Sequence, residues 1–210
     1  MVPILGDIYM LGTTSKLNAV NTMLSAVGEA PINSLTSNVT ADVSLATSIL
    51  DEISREVQSH GWHFNTVIDY PLIPDSTTNI NLPTNMVRVD LEGLNLDPDF
   101  DIVVRGTKLY NRVNNSYVFT QTLKVTAVVL LEWDEMPEVA KRYIMIRAAR
   151  VYQDRLLGSD KLHRFNRINE QQAFMALREY EMDTADHSIF ENNDVFRIIN
   201  RGNIINRVRT

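Results

Sequence analysis

Cysteine is absent from the chain, which removes disulfide frameworks, thiolate nucleophiles and cysteine-based metal sites by inventory alone. Positive charge is in short supply. Lys and Arg total 20 against 26 Asp and Glu, giving a formal charge of −6 and a pI near 5.2. A protein that neutralises phosphates over a broad surface needs clustered cations, so gripping nucleic acid is not expected. Long hydrophobic runs are missing too. Residues 1–12 are apolar, but the first basic side chain is Lys16, so the basic start of a secretory signal is lacking and the stretch is too short to span a bilayer. The chain therefore reads as soluble, without a membrane partner. With 210 residues, 44% of them apolar and 22% charged, it is long enough for one or two domains with a core.

Catalytic signatures are equally sparse. No Gly-x-Ser-x-Gly elbow, phosphate-binding Gly-Lys-Ser/Thr loop, dinucleotide fingerprint or His-Glu-x-x-His helix occurs. His60 and His63 straddle Gly61, a natural helix stop, so their imidazoles need not share a face, and a helix-end or packing role fits better than a metal site. The spacing of Asp97, Asp99 and Asp101 imitates the opening of a calcium loop. Such a loop needs a glycine at its sixth position and a glutamate at its twelfth, where this chain has Ile102 and Lys108. An acidic surface loop is the default reading. Glu132, Asp134 and Glu135 beside Trp133 supply carboxylates for glycoside hydrolysis, but abundance alone does not make the required pair. No residue is assigned a catalytic, cofactor-binding or metal-binding role, and no cofactor is expected.

What is present is periodicity. Leu17, Val20, Leu24 and Val27 recur at helical steps before Gly28, and Val43, Ala46, Leu50, Ile53 and Val57 form a longer stripe ending at Gly61. These predict helices over 15–27 and about 40–60. Between residues 63 and 132 the texture changes: Pro71, Pro74, Pro83 and Pro98 punctuate β-branched runs at 66–70, 86–91, 102–104, 117–119 and 124–131. Asn114-Asn115 is placed as a hairpin turn between 108–113 and 117–120. From Met136-Pro137 the pattern is helical again. Val139, Tyr143, Ile144, Ile146, Ala148, Ala149, Val151, Tyr152 and Leu156 wrap more than one face, as in a helix lying between neighbours. After Gly158, Leu162, Phe165, Ile168, Met175, Ala176 and Tyr180 mark a fourth helix to about Asp186. The expected fold is α+β: an antiparallel bundle of four main helices (1–62 and 137–187) with an inserted small antiparallel β domain (63–136) and an extended C-terminal arm (188–210).

That last segment contains a near-repeat, Ile198-Ile199-Asn200-Arg201 and Ile204-Ile205-Asn206-Arg207, joined by Gly202-Asn203. With Phe190, Val195 and Phe196 it is more apolar than a solvated linker, and reads as an arm that orders on an adjacent chain. Acidic excess is concentrated in 1–136, whereas the end of the chain is mildly basic.

Three stretches together resemble the tail tubular protein A family, the head-to-tail adaptors of short-tailed bacteriophages. They are 17–35 (LNAVNTMLSAVGEAPINSL), 49–65 (ILDEISREVQSHGWHFN) and 133–158 (WDEMPEVAKRYIMIRAARVYQDRLLG). The resemblance lies in their order and spacing, with Gly28-Glu29-Ala30-Pro31 after the first helix, Gly61-Trp62-His63-Phe64-Asn65 after the second and Asp134-Glu135-Met136-Pro137 opening the third. It implies a non-enzymatic structural subunit of the virion tail, assembled in the host cytoplasm. Copies form a homo-oligomeric ring, typically of twelve, between the portal protein and the tail nozzle (tail tubular protein B). Tail-fibre bases attach near its rim, and genomic DNA passes through the lumen without specific binding. An acidic half facing the bore makes that lumen predominantly negative. The alternative is a tail-associated polysaccharide hydrolase activity on the same scaffold.

Overall fold

The computed structural model describes residues 12–37, 40–91 and 100–184. The expected arm at 188–210, the apolar start at 1–11, Asp97 and Asp99 lie outside the described residues.

Two caps set the first two helices. Ser15 Oγ accepts from Asn18 N at 3.1 Å to open α1 (Lys16–Ala26), and Thr40 Oγ1 accepts from Val43 N at 3.4 Å to open α2 (Ala41–Gln58). α1 closes where Gly28 takes a φ of 84° and Glu29 N–H returns to Leu24 O at 3.0 Å, a left-handed cap. β1 (Thr66–Leu72), β2 (Met86–Leu91), β3 (Ile102–Arg105), β4 (Lys108–Asn111) and β5 (Leu123–Val129) follow, then α3 (Glu138–Leu156) and α4 (Asp160–Thr184). Pro137, expected as the first helical residue, sits at the N-cap of α3 instead, one position before the first helical residue Glu138.

β5 lies between β1 and β2 in an antiparallel sheet, while β3 and β4 form a separate hairpin. Its turn is Gly106-Thr107, with Gly106 at φ 63°. The expected strand at 117–119 does not form. Asn111 and Ser116 make a single bridge around a loop in which Asn115 takes the anticipated positive φ, of 50°. Phe119 then tucks into the core while its N–H bonds Thr78 O at 2.8 Å, so a buried aromatic and not a ladder explains the apolar signal there.

Buried side chains fall into two clusters. One joins α1, α2 and α3 around Val20, Leu24, Leu50, Ile144 and Tyr152, with Trp133 and Met136 at its edge. The other gathers Leu72, Ile80, Leu109, Phe119 and Val125 from the strands and the loops between them. Polar side chains stitch the seam. Gln58 accepts from Leu131 N at 2.7 Å, and Asn65 donates to Gln58 O and Val129 O, both at 2.9 Å. Both are almost fully buried and fully engaged, which locks the end of α2 to the end of β5.

α3 is the central helix, packed by α1, α2 and α4, as its many-sided apolar pattern requires. α4 rests on α3 through Ala173, Leu177 and half-buried Phe174. Its Leu162, Phe165, Ile168, Met175 and Met182 remain exposed, Phe165 at 61% and Met175 at 65%.

Candidate functional site

A cleft of about 770 Å³ opens between α3, α4 and the His60-Gly61-Trp62 turn. The turn exists because Gly61 adopts φ 76°, a conformation in which a Cβ is strained. A Cβ there also meets Val128 Cγ2 at 2.8 Å and the Arg88 guanidinium. Trp62 is fixed by its Nε1–H donating to Val57 O at 2.7 Å, and its ring meets His60 and Phe174 edge-on. Tyr143 and Phe174 complete an aromatic floor, with centroids 5.3 Å apart.

Four arginines line the walls: Arg147 and Arg150 from α3, Arg167 and Arg178 from α4. The first pair belongs to a chain of charges that ties three helices together. Arg147 reaches Glu56 of α2 at 2.6 Å, Glu170 of α4 at 3.4 Å and the Tyr143 hydroxyl at 3.0 Å. Arg150 holds the other oxygen of Glu170 and contacts Asp154 at 3.0 Å, and Asp154 bonds His163 Nδ1 at 2.8 Å. Burial alone pushes the Arg147 guanidinium down, but the Tyr143 hydroxyl and the Glu56 and Glu170 carboxylates outweigh it and the pKa rises. For Arg150 the hydrogen bond to Glu170 dominates and burial opposes it, again with a net rise. Both are therefore charged at neutral pH. Glu181, near the end of α4, accepts the His63 backbone N–H at 2.8 Å and so pins α4 to the turn.

The residues considered from sequence sit apart from this centre or serve it structurally. His60 lines the cleft, His63 contributes its backbone, His163 belongs to the ion network, and His187 lies outside the described residues. Asp101 is exposed and pairs with Arg112 at 3.4 Å. Trp133 is buried with its Nε1–H on Thr14 O at 2.8 Å, so it offers no ring face to a sugar beside Asp134 and Glu135. Among the described residues no cluster of His, Asp and Glu has the arrangement to hold a metal ion. No described helix is long and apolar enough to cross a membrane.

The cleft's two carboxylates are far apart along α4 and are both engaged by protein donors. Glu170 and Glu181 are eleven residues apart on one helix, about 16 Å along its axis, whereas glycosidase pairs stand about 5–9.5 Å apart. Glu170 is engaged by two guanidiniums. The geometry suits holding helices together and presenting charge. Sequence reading missed the cleft because its walls come from three distant segments; the only local signal was arginine at 147, 150, 167 and 178.

Comparison with known proteins gives one concordant result. The profile of a family described as "Tail tubular protein" matches residues 17–187. A curated relative, "Tail tubular protein A" of Klebsiella phage KP34, is 29% identical over 167 residues, covering 79% of this chain and 86% of the relative.

Proposed function

Because this chain belongs to the tail tubular protein family, a family of structural components of the phage virion tail, we propose that it is the subunit of a ring-shaped adaptor joining portal to nozzle. The observation that carries this reading is the outer face of α4. Phe165, Ile168, Met175 and Met182 recur at helical spacing on a face that no described element covers. A monomer that keeps such a row in water leaves apolar area uncompensated, at roughly 25 cal/mol per Å². A second copy on that face removes it.

The two flanks of the helical body also differ, with α1 and α2 on one side of α3 and α4 on another. Unlike flanks suit head-to-tail contacts, and these close into a ring when the rotation per subunit divides the circle. In this reading residues 1–62 and 137–187 form the ring body, and 63–136 project toward nozzle and fibre. Residues 188–210 bridge to an adjacent chain. The acidic excess of 1–136 faces a negative lumen through which DNA slides without specific binding.

Electron cryo-microscopy of virion tails tests this. Density fitting the chain as a collar between head vertex and nozzle is the expected result. Finding it in the fibres or inside the head overturns the proposal.

A further inference from the structure

We propose that the arginine cleft is a docking site for an acidic peptide segment of another chain, bound through its carboxylates by Arg167 and Arg178 and through an apolar side chain by the Trp62–Phe174 floor. The inference goes beyond the ring reading and does not depend on it.

The charges in the cleft are unevenly committed. Glu170 is taken up by Arg147 and Arg150, and Glu181 by the His63 N–H. Arg167 and Arg178 are exposed and form no ion pair among the described residues. Arg147 Nε is buried without an acceptor among them. The cleft thus presents cationic donors in excess of its own acceptors, and guanidinium forks match carboxylates.

Spacing then specifies the ligand. Arg167 and Arg178 share one face of α4 eleven residues apart, about 16 Å along the axis, a span that an extended chain covers in about five residues. The fitting segment carries two carboxylates about five residues apart with Leu or Phe between them. Single-stranded nucleic acid fits less well. Trp62 and Phe174 meet edge to face at 77°, so they do not offer the parallel platforms on which bases stack. The cleft also carries Glu170 and Glu181 in its own lining, which oppose a continuous polyanion.

The test is fluorescence anisotropy of the full chain with a fluorescein-labelled peptide bearing glutamates at both ends of a four-residue Leu-Phe-Leu-Leu centre, five positions apart. Companion probes are the same peptide with Gln for Glu and a single-stranded oligonucleotide. The acidic peptide should bind, its Gln version should not, and Arg167→Gln/Arg178→Gln should weaken binding about tenfold, as two partly exposed charge pairs warrant. Both arginines are exposed, so circular dichroism and melting of the double variant should match the parent. Absence of peptide binding, equal binding by the double variant, or tighter binding of the oligonucleotide at the same salt overturns the proposal. A failure here alongside correct placement in the tail discards the docking site and leaves the ring reading standing.

Discussion

At the scale of single residues, Gly61 bears the most structural weight for its size. It lets α2 end, turns the chain at φ 76° and brings Trp62 over the cleft while clearing Val128 and Arg88. Gly61→Ala places a Cβ where the backbone region and the space both resist it, and should lower stability by about 2 kcal/mol. Urea unfolding checks this; a loss within experimental error of zero means the turn relaxes freely. Gln58 and Asn65 close by show why a polar residue is placed in a seam. Gln58 satisfies both the N–H and the C=O of Leu131, and Asn65 satisfies carbonyls of Gln58 and Val129, so neither is left as an unpaired buried group. Glycine before an aromatic was visible in the sequence, and the helix stop followed from it. The reach of Asn65 to Val129, 64 positions away, was not, because nothing local encodes a long-range acceptor.

At the scale of elements, α4 differs from the other helices. α1, α2 and α3 bury their apolar stripes in one another, whereas α4 touches the body through a narrow strip and presents its larger hydrophobes outward. Its periodicity correctly announced a helix. Which face would be covered was not legible, since a stripe that meets another subunit and a stripe that meets the core are written alike. The β region reads similarly: β1, β2, β3 and β5 fall where branched residues cluster, but the run at 117–119 was a loop carrying one core phenylalanine. Replacing the outer hydrophobes, as in Phe165→Glu/Met175→Glu, removes side chains that are 61% and 65% exposed. Monomer stability should change by less than about 0.5 kcal/mol, while co-assembly with other tail components, followed by sedimentation, should fail. Normal assembly with both glutamates in place shows that this face is not an interface.

At the scale of the whole molecule, two cores meet at a stitched seam, and the helical body has unlike flanks. The shortages met first, no cysteine and fewer cations than carboxylates, bounded chemistry without naming a role. The role came from three separated motifs whose order fits one family, and the family profile spans residues 17–187. The arginine cleft takes its turn and one wall from two of those motifs, 49–65 and 133–158, and its other wall from α4 beyond them. It exists only once α2, α3 and α4 are folded together, so no reading of one segment shows it. The central claim is that the folded monomer is an incomplete object, finished by other copies on a platform. Native mass spectrometry of the purified chain, alone and mixed with portal rings, tests this most directly. The account predicts that many copies add to each portal ring to a fixed stoichiometry, whether or not the chain is monomeric alone. A portal that emerges with no copies bound contradicts it.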